Sequence, residues 1–216
     1  MLQNLVRLER AVRESRDTDK PLVYWWLDIL LLSWITLGIY PWIVFYQRTN
    51  RRDKHFERKR AVFRAALDCT REVADARGID VHYKLEDVER KLNEAENSLL
   101  RPKGAALWLV LTIVTLGLAG FYVLYFWTVD WYRLQRFEQD LLDDLSRIWV
   151  QLGIVKYPIT ADSVVPERSY WLYLILTLLT CGIWFLYWDY VVHTDPDLLF
   201  RESSRWEDTL LNAFRA

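Results

Sequence analysis

Trp34-Ile35-Thr36-Leu37-Gly38-Ile39-Tyr40-Pro41-Trp42 is the stretch that decides how this chain is read, because its central Thr-x-Gly returns twice. Thr115-Leu116-Gly117 and Thr180-Cys181-Gly182 stand, like Thr36-Leu37-Gly38, in the middle of long apolar, aromatic-rich runs. These runs are 22–46, 105–129 and 170–192, and Asp28 and Asp189 are the only charges inside them. Eight positions after each glycine stands a tyrosine: Tyr46, Tyr125 and Tyr190. Self-similarity at this spacing marks a threefold repeat. The expected units are 1–78, 79–153 and 154–216. Each opens near a proline (Pro21, Pro102, Pro166), which suits the first turn of a helix.

Composition points to a membrane. The chain has 216 residues, a 52% apolar fraction and a net charge of −1, and its apolar residues are concentrated in the three runs. Twelve tryptophans and twelve tyrosines fit the headgroup level of a bilayer, where an apolar ring with a polar tip is at home. Tyr46, Tyr125, Tyr190, Trp42 and Trp184 are the expected aromatic anchors. The near-neutral charge speaks against nucleic acid. The first 20 residues form a charged amphipathic run without a small-residue cleavage site after the first apolar stretch, so that stretch is expected to insert and stay.

The polar segments between the runs read as amphipathic helices. Leu85, Val88, Leu92, Ala95 and Leu99 form a heptad-like stripe on a helix expected over 84–100. Leu5, Leu8 and Val12 repeat it near the N-terminus, and Leu199, Trp206, Leu210 and Ala213 near the C-terminus. Further polar helices are expected over 47–77 and 130–152, with Gly78 and Gly153 as helix stops. The stripes are too short for independent coiled coils. They serve either for packing within the chain or for holding a soluble protein partner.

Two topologies remain open. A continuous helix of 25 residues would be about 37 Å long and would cross a bilayer. Alternatively, Thr-x-Gly is a turn, with Thr36, Gly38, Thr115, Gly117, Thr180 and Gly182 as its residues, and each unit is a hairpin entering and leaving on one face. Each arm would then be about 15–22 Å long, too short to span. A hairpin closing near residue 37 would also set Asp28 opposite Arg48 and so pair a buried acid.

The core motif resembles prokaryotic membrane families of unknown function that carry T-(L/C)-G-I-aromatic followed by an aromatic and a charged helix. Residues 34–42 and 180–188 carry the resemblance; unit two departs from it at Leu118-Ala119-Gly120. It implies a membrane-embedded fold and nothing about activity.

Catalytic chemistry has no foothold. His55, His82 and His193 are isolated, Cys69 and Cys181 are far apart, and neither metal-ligand spacing nor a phosphate-binding loop occurs. No catalytic residue, metal or cofactor is expected. From Arg48 to Arg64, eight Arg or Lys face two acids. Arg48, Arg51, Arg52, Lys54, Arg58, Lys59 and Arg60 are expected to touch anionic lipid, at about 1 kcal/mol per residue near a surface. The resulting expectation is an all-α integral membrane protein of three repeats, each a short Thr-x-Gly hairpin or single span plus amphipathic helices: a non-catalytic, self-associating scaffold or membrane-shaping protein. Its polar helices would lie on the cytoplasmic side of a prokaryotic cytoplasmic membrane. The alternatives are a small transporter or channel subunit with Asp28 and Asp189 in a polar path, or an accessory subunit of a membrane complex.

Overall fold

Each apolar run reverses direction at its Thr-x-Gly. The structure, a computed structural model, describes residues 2–215, and of Leu2, Arg16, Ile29 and Leu30 the backbone only. Among the described residues it is all-α. Three long helices carry the architecture: α5 (Tyr40–Arg77), α8 (Leu118–Gln151) and α10 (Ile183–Arg215), numbered after the shorter elements that precede them in the chain. Each begins just past a Thr-x-Gly and is preceded by a short apolar arm. The arms of units two and three are α7 (Ala105–Val114) and α9 (Tyr170–Leu179). In unit one the arm is broken into α3 (Trp25–Leu27), a π-helical turn (Asp28–Leu32) and α4 (Ser33–Ile35). The N-terminal helices α1 (Leu2–Arg13) and α2 (Ser15–Thr18) lie along α5, and α6 (His82–Asn97) packs between α5 and α8.

The three turns are built alike. The Thr hydroxyl donates to the carbonyl four residues back, on Leu32, Leu111 and Leu176, at 2.7 Å each time. The same oxygen accepts the backbone N–H of Tyr40, Ala119 or Trp184 at 2.9 Å. One hydroxyl thus satisfies a freed carbonyl of the first arm and an orphan donor of the second helix. The glycine N–H closes each turn on the carbonyl five residues back, at 2.9, 2.8 and 2.8 Å. Both turn residues are left-handed: Leu37, Leu116 and Cys181 have φ of 50°, 51° and 49°, and the glycines 85°, 95° and 91°. The chain therefore folds back as a hairpin in every unit, with Trp108 stacked on Tyr122 across the second at 4.8 Å. This replaces the continuous-span topology, and no helix among the described residues is long and apolar enough to cross a membrane.

Two cores follow. At the polar end, residues from all three units share one core, from Leu8 on α1 through Leu85 and Leu92 on α6 to Leu210 on α10. At the hairpin end a smaller, aromatic core gathers Phe126, Trp127, Tyr170, Tyr173 and Trp188. Both use the same device to bury an indole. Trp149 donates to Thr70 at 2.7 Å and Trp188 to Thr128 at 2.8 Å, each threonine also bonding back to its own helix. The heptad-like stripe of α6 is consumed here: Leu85, Val88, Leu92 and Ala95 are buried within the chain, so it offers no face to a soluble partner.

Unit three lacks a counterpart of α6. An extended segment over residues 154–169 takes its place, and side chains of the long helices satisfy its backbone. Gln135 accepts from Val164 and Val165 N–H, both at 2.7 Å, and donates to the Val165 carbonyl; Ser146 exchanges bonds with Ile159; Glu202 accepts from Asp162 N–H. α5 and α8 end at Gly78 and Gly153, both left-handed.

Candidate functional site: a charged floor beneath an apolar cleft

The basic run of α5 does not face outward. Arg48, Arg51, Arg52, Arg58 and Lys59 are buried, which corrects their expected contact with anionic lipid; Lys54 and Arg60 remain exposed. The reason is long-range pairing. Arg52 bonds Asp130 of α8 at 2.9 and 2.6 Å and the Leu99 carbonyl at 3.0 Å. Arg58 bonds Glu207 of α10 and Asp19, each at 2.6 Å. Lys59 lies 2.7 Å from Glu207 and 3.0 Å from Glu138, with its ammonium 4.3 Å from the Trp206 ring centre. Arg51 pairs with Asp197. The cations of α5 are thus shared between acids of α8 and α10, and helix register is tied to charge as well as to apolar packing.

Burial sets the protonation states in this layer. Desolvation pushes the Glu138 carboxyl up, with Lys59 opposing. His55 is buried among aromatic rings and loses its charge: burial lowers its pKa to about 4, although Asp19 beside it favours the imidazolium. Burial opposes ionisation of Asp19, but His55 and Arg58 outweigh it and hold the carboxyl well below its usual range.

The other intrachain charge cluster lies where the bundle meets the hairpins. Arg48 reaches both acids of the apolar runs. Its guanidinium grips Asp189 with both terminal nitrogens, Nη2 at 3.1 Å, and lies 3.8 Å from Asp28. Trp25 Nε1 donates to Asp189 at 2.9 Å. Arg48 Nη2 also donates to His193 Nδ1 at 3.0 Å, and His193 Nε2 meets the Val23 carbonyl at 2.8 Å. An arginine can only donate, so Nδ1 accepts and the proton sits on Nε2: His193 is neutral. Arg48 further stands over Trp127 at 5.6 Å, so all three units meet at this one guanidinium.

Above this floor opens a cleft of about 540 Å³ between the hairpins. Trp42, Phe45, Phe121, Leu124 and Phe185 wall it, and Gly117 and Gly120 line the part near the turns. The sequence-level pairing of Asp28 with Arg48 is present here, though Asp189 takes the closer bonds. His193, which reads as isolated in the sequence, is brought into this cluster, and Trp25 and Trp127 join it although the sequence assigns them no site role. Only the Asp189–His193 spacing of four, which places both on one helical face, carries a signal for them.

The aromatic positions divide. Tyr46, Tyr190 and Trp42 are exposed, and Tyr125 is half-buried with its hydroxyl accepting from Arg133 at 3.1 Å. Trp184, two residues past its glycine, lies close to the turn and packs on Tyr173 and Tyr187, so it does not share the level of the three tyrosines. Among the described residues no group of His, Cys, Asp and Glu converges to hold a metal ion.

The class defined by this geometry is an all-α protein of three Thr-x-Gly hairpins on a charge-paired bundle. No family model, curated protein or solved structure matches the chain.

Proposed function

We propose that this is a non-catalytic membrane scaffold whose three hairpins enter one leaflet and whose bundle stays in water. One observation carries the reading. Leu37 and Leu116 occupy left-handed backbone, which costs an L-residue about 1–2 kcal/mol, yet they are 93% and 95% exposed. No packing inside the chain offsets that strain, and Gly or Asn would adopt the conformation more readily in water. Hydrocarbon around the turns supplies the missing stabilisation.

Dimensions agree. Ten residues separate Gly38 from Arg48, about 15 Å of helix, which matches half of a hydrocarbon core about 30 Å thick. With the turns at the midplane, Arg48 falls at the headgroup boundary, and Tyr46 and Tyr190 near it. Trp34, Ile35, Val114, Leu118, Leu178, Leu179 and Ile183 point outward around the turns as lipid-facing side chains would. Inserting three such wedges into one leaflet expands it and favours curvature, and self-association would concentrate the effect. A prokaryotic cytoplasmic membrane, with the bundle on the cytoplasmic side, is the setting we assign.

Cys181 offers a direct test, since it is exposed at the third turn while Cys69 is buried. In a Cys69→Ser background, an environment-sensitive fluorophore on Cys181 should shift to the blue on vesicle addition. Lipids brominated near the chain ends should quench it more strongly than lipids brominated near the head. A probe that stays water-like in vesicles defeats the proposal.

A further inference from the structure

Asp28 is the one acid of the floor left without a hydrogen bond. It is 3% exposed, and among the described residues its carboxylate meets only Arg48, at 3.8 Å, while Asp189 takes the guanidinium's bonds. The floor therefore holds one cation against two carboxylates, His193 being neutral. Unit one differs from its sisters at this point. Its arm winds into a π-helical turn from Asp28 to Leu32, with Ser33 Oγ donating to the Asp28 carbonyl at 2.7 Å. Single-turn π-bulges of this kind are frequent at functional sites. Asp28 lines the cleft together with the apolar walls already described.

The cleft is also ordered like a leaflet lipid. Its acidic end lies at the level of Arg48, and its apolar end reaches Thr112 and Gly117 near the second turn. A volume of about 540 Å³ lies within the ordinary range of small-molecule sites. We propose that the cleft binds one phospholipid of the surrounding leaflet whose head ends in a primary ammonium, with Asp28 accepting an N–H bond and an acyl chain lying against Phe45, Phe121 and Leu124. This rests on the one-leaflet membrane reading. Charge complementarity selects a cation over an anionic head, and the unsatisfied carboxylate selects an N–H donor over a quaternary ammonium.

The test compares phosphatidylethanolamine, phosphatidylcholine and phosphatidylglycerol of matched chains, added in equal amounts to the detergent-purified protein and read by native mass spectrometry. The wild type should retain one phosphatidylethanolamine at about tenfold preference over either competitor. Asp28→Asn should bring the three lipids to parity, and Leu124→Trp, which fills the cleft and leaves the acid in place, should lower retention of all three. Equal retention by the wild type, or an undiminished preference in Asp28→Asn, overturns the proposal. Flotation of the wild type with vesicles separates the two levels. If it floats and shows no preference, the lipid site alone is wrong; if it fails to float, the membrane reading falls and the lipid site with it.

Discussion

The bundle end and the hairpin end of this protein are stabilised in opposite ways. The bundle buries charge: Lys59 and Glu207 are both 0% exposed, and its surface is polar. The hairpin end buries aromatic rings against one another, as in the edge-on packing of Tyr170 and Tyr173 on Trp188 at 5.5 and 5.9 Å, and exposes leucine, isoleucine and valine. Two ends of the same three helices thus carry inverted surfaces. The difference teaches that burial follows opposite rules at the two ends, charge in one and aromatic rings in the other, with the Arg48 cluster as the seam between them. The proposed membrane insertion rests on that contrast.

The largest break in this comparison should come from the buried charges. Removing one partner of a buried network typically costs about 3–5 kcal/mol, because the remaining charge is left uncompensated. Lys59→Met should lower unfolding free energy in detergent by that amount, since Glu138 loses its ion-pair partner. Adding Glu138→Leu should recover part of the loss, because Glu207 keeps Arg58 at 2.6 Å. A loss below about 1 kcal/mol for Lys59→Met would place these charges in the class of solvated surface pairs and erase the contrast between the ends.

The next effect is a pH dependence to which His55 of the bundle contributes a separable part. His55 titrates at about 4 in the folded chain against about 6.5 unfolded. Between those values the unfolded state binds more protons, so stability rises with pH. The contribution is complete above about pH 6.5 and is lost as pH falls towards 4, reaching about 3 kcal/mol. Asp19 stays ionised throughout this window, and His193, whose pKa burial and Arg48 also lower to about 4, shares the slope with His55. Chemical denaturation from pH 7 to 4 should show it, and His55→Gln should reduce the slope while leaving the part that His193 contributes. An unchanged slope in that variant would put the titrating group elsewhere.

How much of this was legible in the sequence differs between the ends for a physical reason. The hairpins are local. Thr36, Gly38 and their counterparts make their turn from bonds spanning at most five residues, so the tripeptide and its repetition disclose it, and closure at residue 37 then places Asp28 near Arg48. The bundle is non-local. Whether Arg52 and Arg58 look outward or inward depends on Asp130 and Glu207, and no spacing in the basic run of α5 reveals partners that distant. A cationic segment beside an apolar one therefore resembled a lipid-binding patch. The replacement of an α6 equivalent by an extended segment was equally hidden, because it depends on Gln135, Ser146 and Glu202 reaching across to a backbone they do not adjoin. Asp28 was visible as an acid in an apolar run, but its π-helical turn was not, since the other arms contain no such distortion.

The smallest effect sharpens the comparison within the hairpin end itself. Thr115 and Thr112 lie three residues apart and both donate to a carbonyl four residues back at 2.7 Å. Thr112 bonds the Trp108 carbonyl within regular helix, which retains a backbone partner if the hydroxyl is removed. Thr115 also accepts from Ala119 N–H at 2.9 Å, across the point where backbone hydrogen bonding is interrupted. Thr→Val keeps the shape and deletes the hydroxyl, so Thr115→Val leaves the Ala119 N–H without its acceptor, at about 1–2 kcal/mol for a group shielded from water. Thr112→Val should change stability by less than about 0.5 kcal/mol, and Thr115→Ser should retain most of the wild-type value. Thermal unfolding in lipid nanodiscs is the appropriate readout, since water in a loosely covered micelle could replace the lost acceptor. If Thr115→Val and Thr112→Val prove equal in nanodiscs, water reaches the turns, and the hairpin end does not lie in hydrocarbon.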